Sequence, residues 1–334
     1  MKAIALISGG LDSLLAARVI KEQKIEIIPL HLKIPFCHRD KRIPSCVENR
    51  FSSIEESLGI GLKMIDIASD FLNLVRNPRY GFGANMNPCI DCKILMLTKT
   101  KEMMEEWGAS FVVTGEVLGQ RPMSQHKQAL INIAKRSGLE GLVLRPLSAK
   151  VLPETTPEKE GWVDRDKLLD FNGRGRRQQI ELAHELGIKD YAQPAGGCLL
   201  TDAEFSKKIK DLMTYGELNL ENVGLLKIGR HFRISKKAKL IVGRNERENK
   251  EIEDLAKEKD YLFYPDINLT GPTSLGRGIF NEDLILLSCR ITSGYCDLNG
   301  KINSEIMYRA LPGKEEKVLE VFPLRGAELL SMKI

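Results

Sequence analysis

The first half of the chain alternates short apolar runs with amphipathic stretches. Lys2 to Ile7 is a brief apolar run that stops before the pair Gly9-Gly10, and Leu11 to Lys21 then repeats apolar residues at helical spacing. Ile25 to Leu32 reads as a second strand, Ser45 to Leu58 as a second helix and Leu62 to Ile67 as a third strand. Cys92 to Trp107 reads as helix, and Phe111 to Thr114 and Leu142 to Leu147 as the fourth and fifth strands. Such alternation predicts the α/β class, a doubly wound parallel sheet with helices on both faces. Ligands on these sheets lie at the carboxyl ends of the strands, where Ser8–Ser13 and Thr114–Gln125 would both fall. An Arg-rich helix from Arg174 to Leu186 and the turn Pro194 to Gly197 close this domain, which we bound at residues 1–215.

From about Val223 the texture changes. Short β-like runs at His231–Ile234 and Lys239–Val242 precede a helix at Asn245–Lys259, and further apolar runs follow at Leu284–Ile291 and Lys317–Phe322. This predicts a second, smaller α+β domain over residues 223–334, of ordinary domain size.

Composition narrows the picture. A hydrophobic share of 43% and a charged share of 28% exclude a disordered or collagen-like chain. With 50 Lys plus Arg against 45 Asp plus Glu, the net charge of +5 gives no support to a general polyanion binder, so any basic patch has to be local. Seven cysteines, an odd number in a chain of 334 residues, fit a reducing cytoplasm and reactive or metal-bound thiols rather than disulfide staples. The opening MKAIALISGGLDS is too short for a signal peptide or a membrane span, and we expect no membrane partner.

Ser8-Gly9-Gly10-Leu11-Asp12-Ser13 joins the first strand directly to a helix. Two glycines allow a tight turn with exposed N–H groups, and the helix N-terminus favours an anion there. Ser8 and Ser13 add hydroxyls, and Asp12 could hold Mg²⁺ on bound phosphates. The plainer reading is a strand-to-helix turn capped by Asp12 or Ser13. A Walker loop is excluded because the GK[ST] lysine is missing, and a dinucleotide fingerprint because GxGxxG is missing. The segment resembles the SGGxDS loop of the N-type (PP-loop) ATP pyrophosphatases, position by position at Ser8, Gly9, Gly10, Asp12 and Ser13. The resemblance implies an ATP site whose products are AMP and pyrophosphate.

Asn87-Pro88-Cys89-Ile90-Asp91-Cys92-Lys93 sets two thiols three apart at a helix start, where the dipole favours thiolate. Cys198 follows a Gly-Gly turn. Three thiolates could serve an open iron–sulfur site, a structural zinc with a fourth ligand from elsewhere, or a redox CxxC with Cys198 idle. Within the pyrophosphatases the chain is similar to the tRNA thiouridine synthetases. Thr114-Gly115-Glu116 through Gly119-Gln120 to Ser124-Gln125 resembles the TGxxxGQxxSQ stretch of the 4-thiouridine synthetase group. The iron–sulfur-dependent subgroup carries a three-cysteine [4Fe–4S] cluster, onto which Cys89, Cys92 and Cys198 map. Thr114 and Gly115 join the ATP-binding set by the same resemblance, and Asp12, Cys92 and Cys198 the catalytic set. No THUMP-type region precedes the loop and no rhodanese-like extension follows, unlike the 4-thiouridine synthetases. Cys37, Cys46, Cys289 and Cys296 are scattered and read as small buried hydrophobes.

Arg174, Arg176 and Arg177 precede a helix and could contact RNA phosphates, or simply form a solvated face. Between Lys227 and Lys250, nine Lys or Arg stand against two Glu, with Phe232 interleaved. Gly229–Arg233 and Val242–Glu246 resemble the RNA-binding module of the NFACT proteins, which makes Arg230, Arg233, Lys236 and Lys237 RNA-binding candidates. His31 reads as a packing or adenine-side residue, and His126 and His184 as surface residues.

The resemblance to the tRNA thiouridine synthetases implies ATP-dependent tRNA thiolation, with ATP, Mg²⁺ and a [4Fe–4S] cluster as cofactors. tRNA is the expected substrate, and inorganic sulfide or a cysteine desulfurase or carrier the sulfur donor. A homodimer is compatible with the sequence. A persulfide route through Cys92 and Cys198 without a cluster, and an ATP-sensing RNA-binding factor without thiolation activity, stay open as alternatives.

Overall fold

The computed structural model describes residues 1–36, 46–189, 191 and 198–334, with the backbone alone for 46–50. Cys37, the side chain of Cys46 and the turn Pro194–Gly197 lie outside the described residues. By its contacts the chain divides into two compact units, Met1–Thr201 and Asp202–Ile334. The helix at 203–214, grouped by the sequence with the first domain, belongs to the second unit.

The first unit runs β1 (Lys2–Leu6), α1 (Leu11–Lys21), β2 (Glu26–Lys33), α2 (Cys46–Leu58), β3 (Lys63–Asp66), α3 (Ala68–Arg76), α4 (Cys89–Trp107), β4 (Phe111–Val113), α5 (Lys127–Arg136), β5 (Val143–Leu144), α6 (Thr156–Lys159) and α7 (Arg177–Glu185). Its five strands pair in parallel in the order β3-β2-β1-β4-β5. Burial on both faces explains why β1 is apolar from Ala3 to Leu6. Ala3 and Ala5 point into a core with Phe111, Leu14, Leu15 and Ala183, while Ile4 points into the opposite core with Leu30, Val112 and Leu97. A strand buried on both faces loses the polar half of its pattern. The order reverses between β1 and β4, which places the crevice of a doubly wound sheet beside the residues that follow these two strands.

The second unit continues with α8 (Ala203–Thr214), α9 (Leu220–Leu225), β6 (Arg230–Ser235), β7 (Ala238–Val242), α10 (Glu246–Leu255), β8 (Tyr261–Pro265), β9 (Ser274–Gly278), α11 (Glu282–Ser293), β10 (Ser304–Ala310), β11 (Lys317–Val321) and α12 (Ala327–Ser331). Six antiparallel strands take the order β11-β10-β8-β9-β7-β6. One face packs Phe232, Leu240 and Phe263 against Cys289 and Ile291 of α11. The other packs Ile241, Leu262 and Leu275 against Leu225 and Ile252. The apolar run at Leu284–Ile291 is helical because Asn281 caps it, accepting the Leu284 N–H at 3.0 Å, with Glu282 and Asp283 in the first turn.

Candidate functional site

The loop after β1 is organised by the hydroxyl of Ser13. Ser13 Oγ donates to the Gly10 carbonyl at 2.8 Å and accepts from the Ser8 N–H and the Ser8 hydroxyl, both at 3.2 Å. Gly9 sits at φ +81°, a left-handed conformation that favours glycine. The residue capping α1 is Gly10, with no side-chain hydrogen bond, so neither Asp12 nor Ser13 serves as the cap that the plainer reading assigned to them. Asp12 instead accepts from Gln120 Nε2 at 3.0 Å through one carboxylate oxygen. Its other oxygen, Oδ1, is buried and has no hydrogen-bond partner among the described residues. A buried carboxylate oxygen left unpaired costs about 1–3 kcal/mol, more when charged, which fits a site that awaits a cation.

Thr114 and Gly115 follow β4 and close the other side of the loop. A Cβ built on Gly115 would lie 2.4 Å from the Ser13 backbone N and 2.5 Å from the Asp12 carbonyl carbon and oxygen, so only glycine permits this approach. Thr114 Oγ1 donates at 3.2 Å to Glu116, a carboxylate only 3% exposed. Arg145 Nε meets the same carboxylate at 3.1 Å, and Lys93 Nζ lies 3.5 Å from its second oxygen. Burial pushes the Glu116 pKa up, but Lys93, Arg145 and the hydrogen bonds from Arg145 and Thr114 outweigh it and hold the acid below its ordinary value. Glu116, Arg145, Lys93 and Gln120 were missed as site residues by sequence reasoning. Glu116 and Gln120 stand inside the quoted TGxxxGQ stretch, which was the available signal. His31 packs 4.5 Å from the Phe51 ring and its Nδ1 lies 2.7 Å from the Ile7 carbonyl, while His126 and His184 are exposed.

Cys89 and Cys92 occupy the first turn of α4, and Cys89 Sγ lies 3.0 Å from the Ser124 hydroxyl. Between them Asp91, 8% exposed, accepts the N–H groups of Arg79 and Tyr80 at 3.1 and 2.9 Å and fixes the approach to the helix. The segment after Cys198 is bound to the approach to α4. Met86 N donates to the Leu200 carbonyl at 3.0 Å, and Asn85 Nδ2 to the Thr201 carbonyl at 2.7 Å. The structure therefore brings the Cys198 segment beside the residues that lead into Cys89 and Cys92. Among the described residues no three His, Cys, Asp or Glu side chains are gathered closely enough to hold a metal. The donor set itself, three soft sulfurs with two at a helix N-terminus, fits an iron–sulfur cluster by its chemistry. Cys289 and Cys296 are 0% and 6% exposed, and burial pushes their thiols up to about 12 and about 11.

The basic candidates divide. Lys236 and Lys237 are exposed on the β6–β7 turn, Arg174 is exposed, and Arg177 is exposed and pairs with Glu181 at 2.8 Å. Arg176 is half-buried, and its Nε has no hydrogen-bond partner among the described residues. Arg230 lies over the Tyr295 ring at 4.7 Å and donates to the Gly243 carbonyl at 3.0 Å. Arg233 is tied down, with bonds of 2.6–3.0 Å to Asp211 and Glu217 and the Tyr215 ring 4.2 Å away. The positive charge counted along Lys227–Lys250 is thus partly consumed inside the unit.

A parallel sheet with a Ser–Gly–Gly–Leu–Asp–Ser turn at its switch point is a doubly wound α/β fold of the PP-loop kind. Residues 1–155 match the family described as the tRNA methyl transferase HUP domain, and residues 229–332 match the NFACT protein RNA binding domain. Over 99 residues the chain is 33% identical to the tRNA-specific 2-thiouridylase MnmA of Helicobacter acinonychis, covering 29% of this chain and 28% of that protein. It is 25% identical over 147 residues to the probable tRNA sulfurtransferase of Thermococcus kodakarensis, 44% of this chain and 36% of that one. The chain thus spans about a third of the length of these two relatives. The solved U34-tRNA thiolase NcsA of Methanococcus maripaludis, with its [4Fe-4S] cluster, is 19% identical with a TM-score of 0.33, over 68% of this chain and 71% of that chain. No helix among the described residues is long and apolar enough to cross a membrane.

Proposed function

We propose that this chain is an ATP-dependent tRNA sulfurtransferase that converts a uridine to a thiouridine. The observation that carries the reading is the Asp12 carboxylate beside a Gly-Gly turn, with one buried oxygen that no described residue pairs and that could meet a phosphate-bound Mg²⁺. Ser8, Gly9, Gly10 and Ser13 would wrap the β- and γ-phosphates of ATP, with Thr114 and Gly115 against the loop. The uridine carbonyl oxygen attacks the α-phosphorus, forming a P–O bond as the bond to pyrophosphate breaks. Charge builds on the departing pyrophosphate, where the N-terminus of α1 would favour it, and Asp12 would hold a Mg²⁺ whose charge supplies further stabilisation. A sulfur nucleophile from the donor then attacks the activated ring carbon and expels AMP. Adenylation is needed because the carbonyl oxygen is otherwise too poor a leaving group.

Cys89, Cys92 and Cys198 would hold a [4Fe–4S] cluster, which when bound supplies an iron without a protein ligand, open to a sulfur species. In this reading Asp91 orients α4 so that Cys89 and Cys92 share one face of its first turn. Lys236, Lys237 and Arg230 on the second unit would engage the RNA backbone. The test is nucleoside mass spectrometry of tRNA from a strain that lacks this gene. Loss of one thiouridine, restored by the wild-type gene and not by an Asp12→Ala allele, is expected. An unchanged thiouridine content would overturn the reading.

A further inference from the structure

One turn of the first unit reaches both halves of the proposed site. Gly119 N donates to the Gln125 carbonyl at 2.7 Å and Gln125 N to the Arg121 carbonyl at 3.0 Å, so the stretch from 119 to 125 closes on itself. Near one end Gln120 holds Asp12, and near the other Ser124 meets Cys89. The approach to α4 leans on the same turn. A Cβ built on Gly83 would collide with the thioether of Met123, the residue before Ser124. Ser124 is therefore fixed in place by its own turn and by the chain that leads into Cys89.

Ser124 is 0% exposed, and among the described residues Cys89 is the hydrogen-bond partner of its hydroxyl, at 3.0 Å. With the sulfur protonated, the Cys89 S–H donates to the Ser124 oxygen. A sulfur bound to iron has given up that proton and can only accept. The Ser124 hydroxyl carries a hydrogen of its own and turns about its Cβ–Oγ bond, so the same two atoms bond again with the direction reversed, O–H to sulfur. Burial favours the reversal, because a hydroxyl inside a protein is rarely left without an acceptor. The pair is already in contact, so no side chain has to travel when iron binds.

We propose that Ser124 is a positioning residue of the sulfur site, whose hydroxyl donates to the Cys89 sulfur in the iron-loaded protein, holding that ligand and favouring the reduced cluster. Hydrogen bonds to the ligand sulfurs are among the features that set the reduction potential of an iron–sulfur cluster. Reduction adds negative charge that spreads onto the thiolates, and a donor beside one of them stabilises it. Removing the hydroxyl therefore lowers the potential. That Cys89 ligates a cluster rests on the proposed function; the buried Ser124–Cys89 pair does not.

The experiment uses the full chain, reconstituted anaerobically with iron and sulfide, as wild type, Ser124→Ala and Ser124→Thr. Iron content and melting temperature come first, then the reduction potential by EPR-monitored titration, then pulsed EPR of the reduced cluster in H₂O and in D₂O. Ser124→Ala should shift the reduction equilibrium toward the oxidised cluster about tenfold, about 59 mV for one electron, and lose one exchangeable proton coupling. Ser124→Thr keeps the hydroxyl and should retain the wild-type potential and coupling. A Ser124→Ala protein that folds but no longer holds iron, while Ser124→Thr does, would support the same role. An unchanged potential or an unchanged set of couplings in Ser124→Ala, or equal losses in Ser124→Ala and Ser124→Thr, would overturn the proposal and leave the cluster reading intact. Should Ser124→Ala not fold, the isosteric pair Ser124→Thr and Ser124→Val makes the same comparison. Wild-type protein that takes up zinc or no metal would overturn the cluster reading, and this proposal with it.

Discussion

Gly115→Ala is the most informative single substitution in the first unit. The added Cβ would lie 2.4 Å from the Ser13 backbone N and 2.5 Å from the Asp12 carbonyl, against about 3.4 Å for ordinary contact. Neither neighbour is a flexible side-chain end, so the loop backbone must retreat by about 1 Å. Overpacking of this kind costs about 1–3 kcal/mol, which in a unit of this size lowers the melting temperature by several degrees. The same displacement acts on Asp12 and Ser13, and a misplacement of about 1 Å in a catalytic loop can cost on the order of 100-fold in rate. The assay is tRNA-dependent pyrophosphate release by the full chain, with Gly224→Ala as a comparison. Among the described residues nothing lies within 4 Å of the would-be Cβ of Gly224, so that variant should behave as wild type. Wild-type rate and ATP dependence in Gly115→Ala would refute the argument that this contact shapes the ATP site.

Four further outcomes follow from the structure. Asp12→Ala and Ser13→Ala should abolish AMP and pyrophosphate formation, and Ser13→Ala should also lose roughly 1 kcal/mol of stability with its hydroxyl bonds, read by chemical denaturation. Arg233→Ala should destabilise the second unit by about 3 kcal/mol, since it leaves two carboxylates short of their partner. Burial raises the Asp211 pKa, but Arg233 and Lys239 outweigh it and the net value lies below the unfolded one. Its contribution is therefore full above pH about 4 and is lost as pH falls through the lowered folded value, and Arg233→Ala should flatten that acid dependence in melting curves. Lys236→Ala with Lys237→Ala should reduce the salt slope of tRNA binding by about two. Alanine at Cys89, Cys92 or Cys198 should each remove iron-dependent absorbance and thiolation while ATP binding survives, whereas Cys289→Ala should do neither.

Much of the first unit was legible because its central strands β1 and β4 are buried on both faces. The run from Lys2 to Ile7 and the helix from Leu11 to Lys21 announce themselves as apolar and amphipathic segments, and the structure places them within a residue of those bounds. The short strand at Val143–Leu144 shows the limit of that signal, since six apolar or polar positions were read where two pair. In the second unit β8, β9 and β10 escaped the pattern, because aromatic Tyr261 and Phe263, the glycines of Ser274–Gly278 and the half-exposed Ser304–Ala310 give no clean alternation. The loop glycines and serines were visible as a contiguous motif. The Glu116–Arg145–Lys93 network was not, because its members meet only when three separate elements are folded together. Charge counting along Lys227–Lys250 could not foresee that Arg233 and Lys239 would turn inward onto Asp211.

The central claim is that one chain couples ATP cleavage to sulfur insertion into tRNA. The most direct measurement is anaerobic incubation of the full chain with unmodified tRNA, ATP, Mg²⁺ and sulfide, followed by nucleoside mass spectrometry and quantification of AMP and pyrophosphate. We expect thiouridine to appear with AMP and pyrophosphate in equal amounts, and all three to vanish in Asp12→Ala. AMP and pyrophosphate formed without any thionucleoside, or thiouridine formed equally well without ATP, would contradict it.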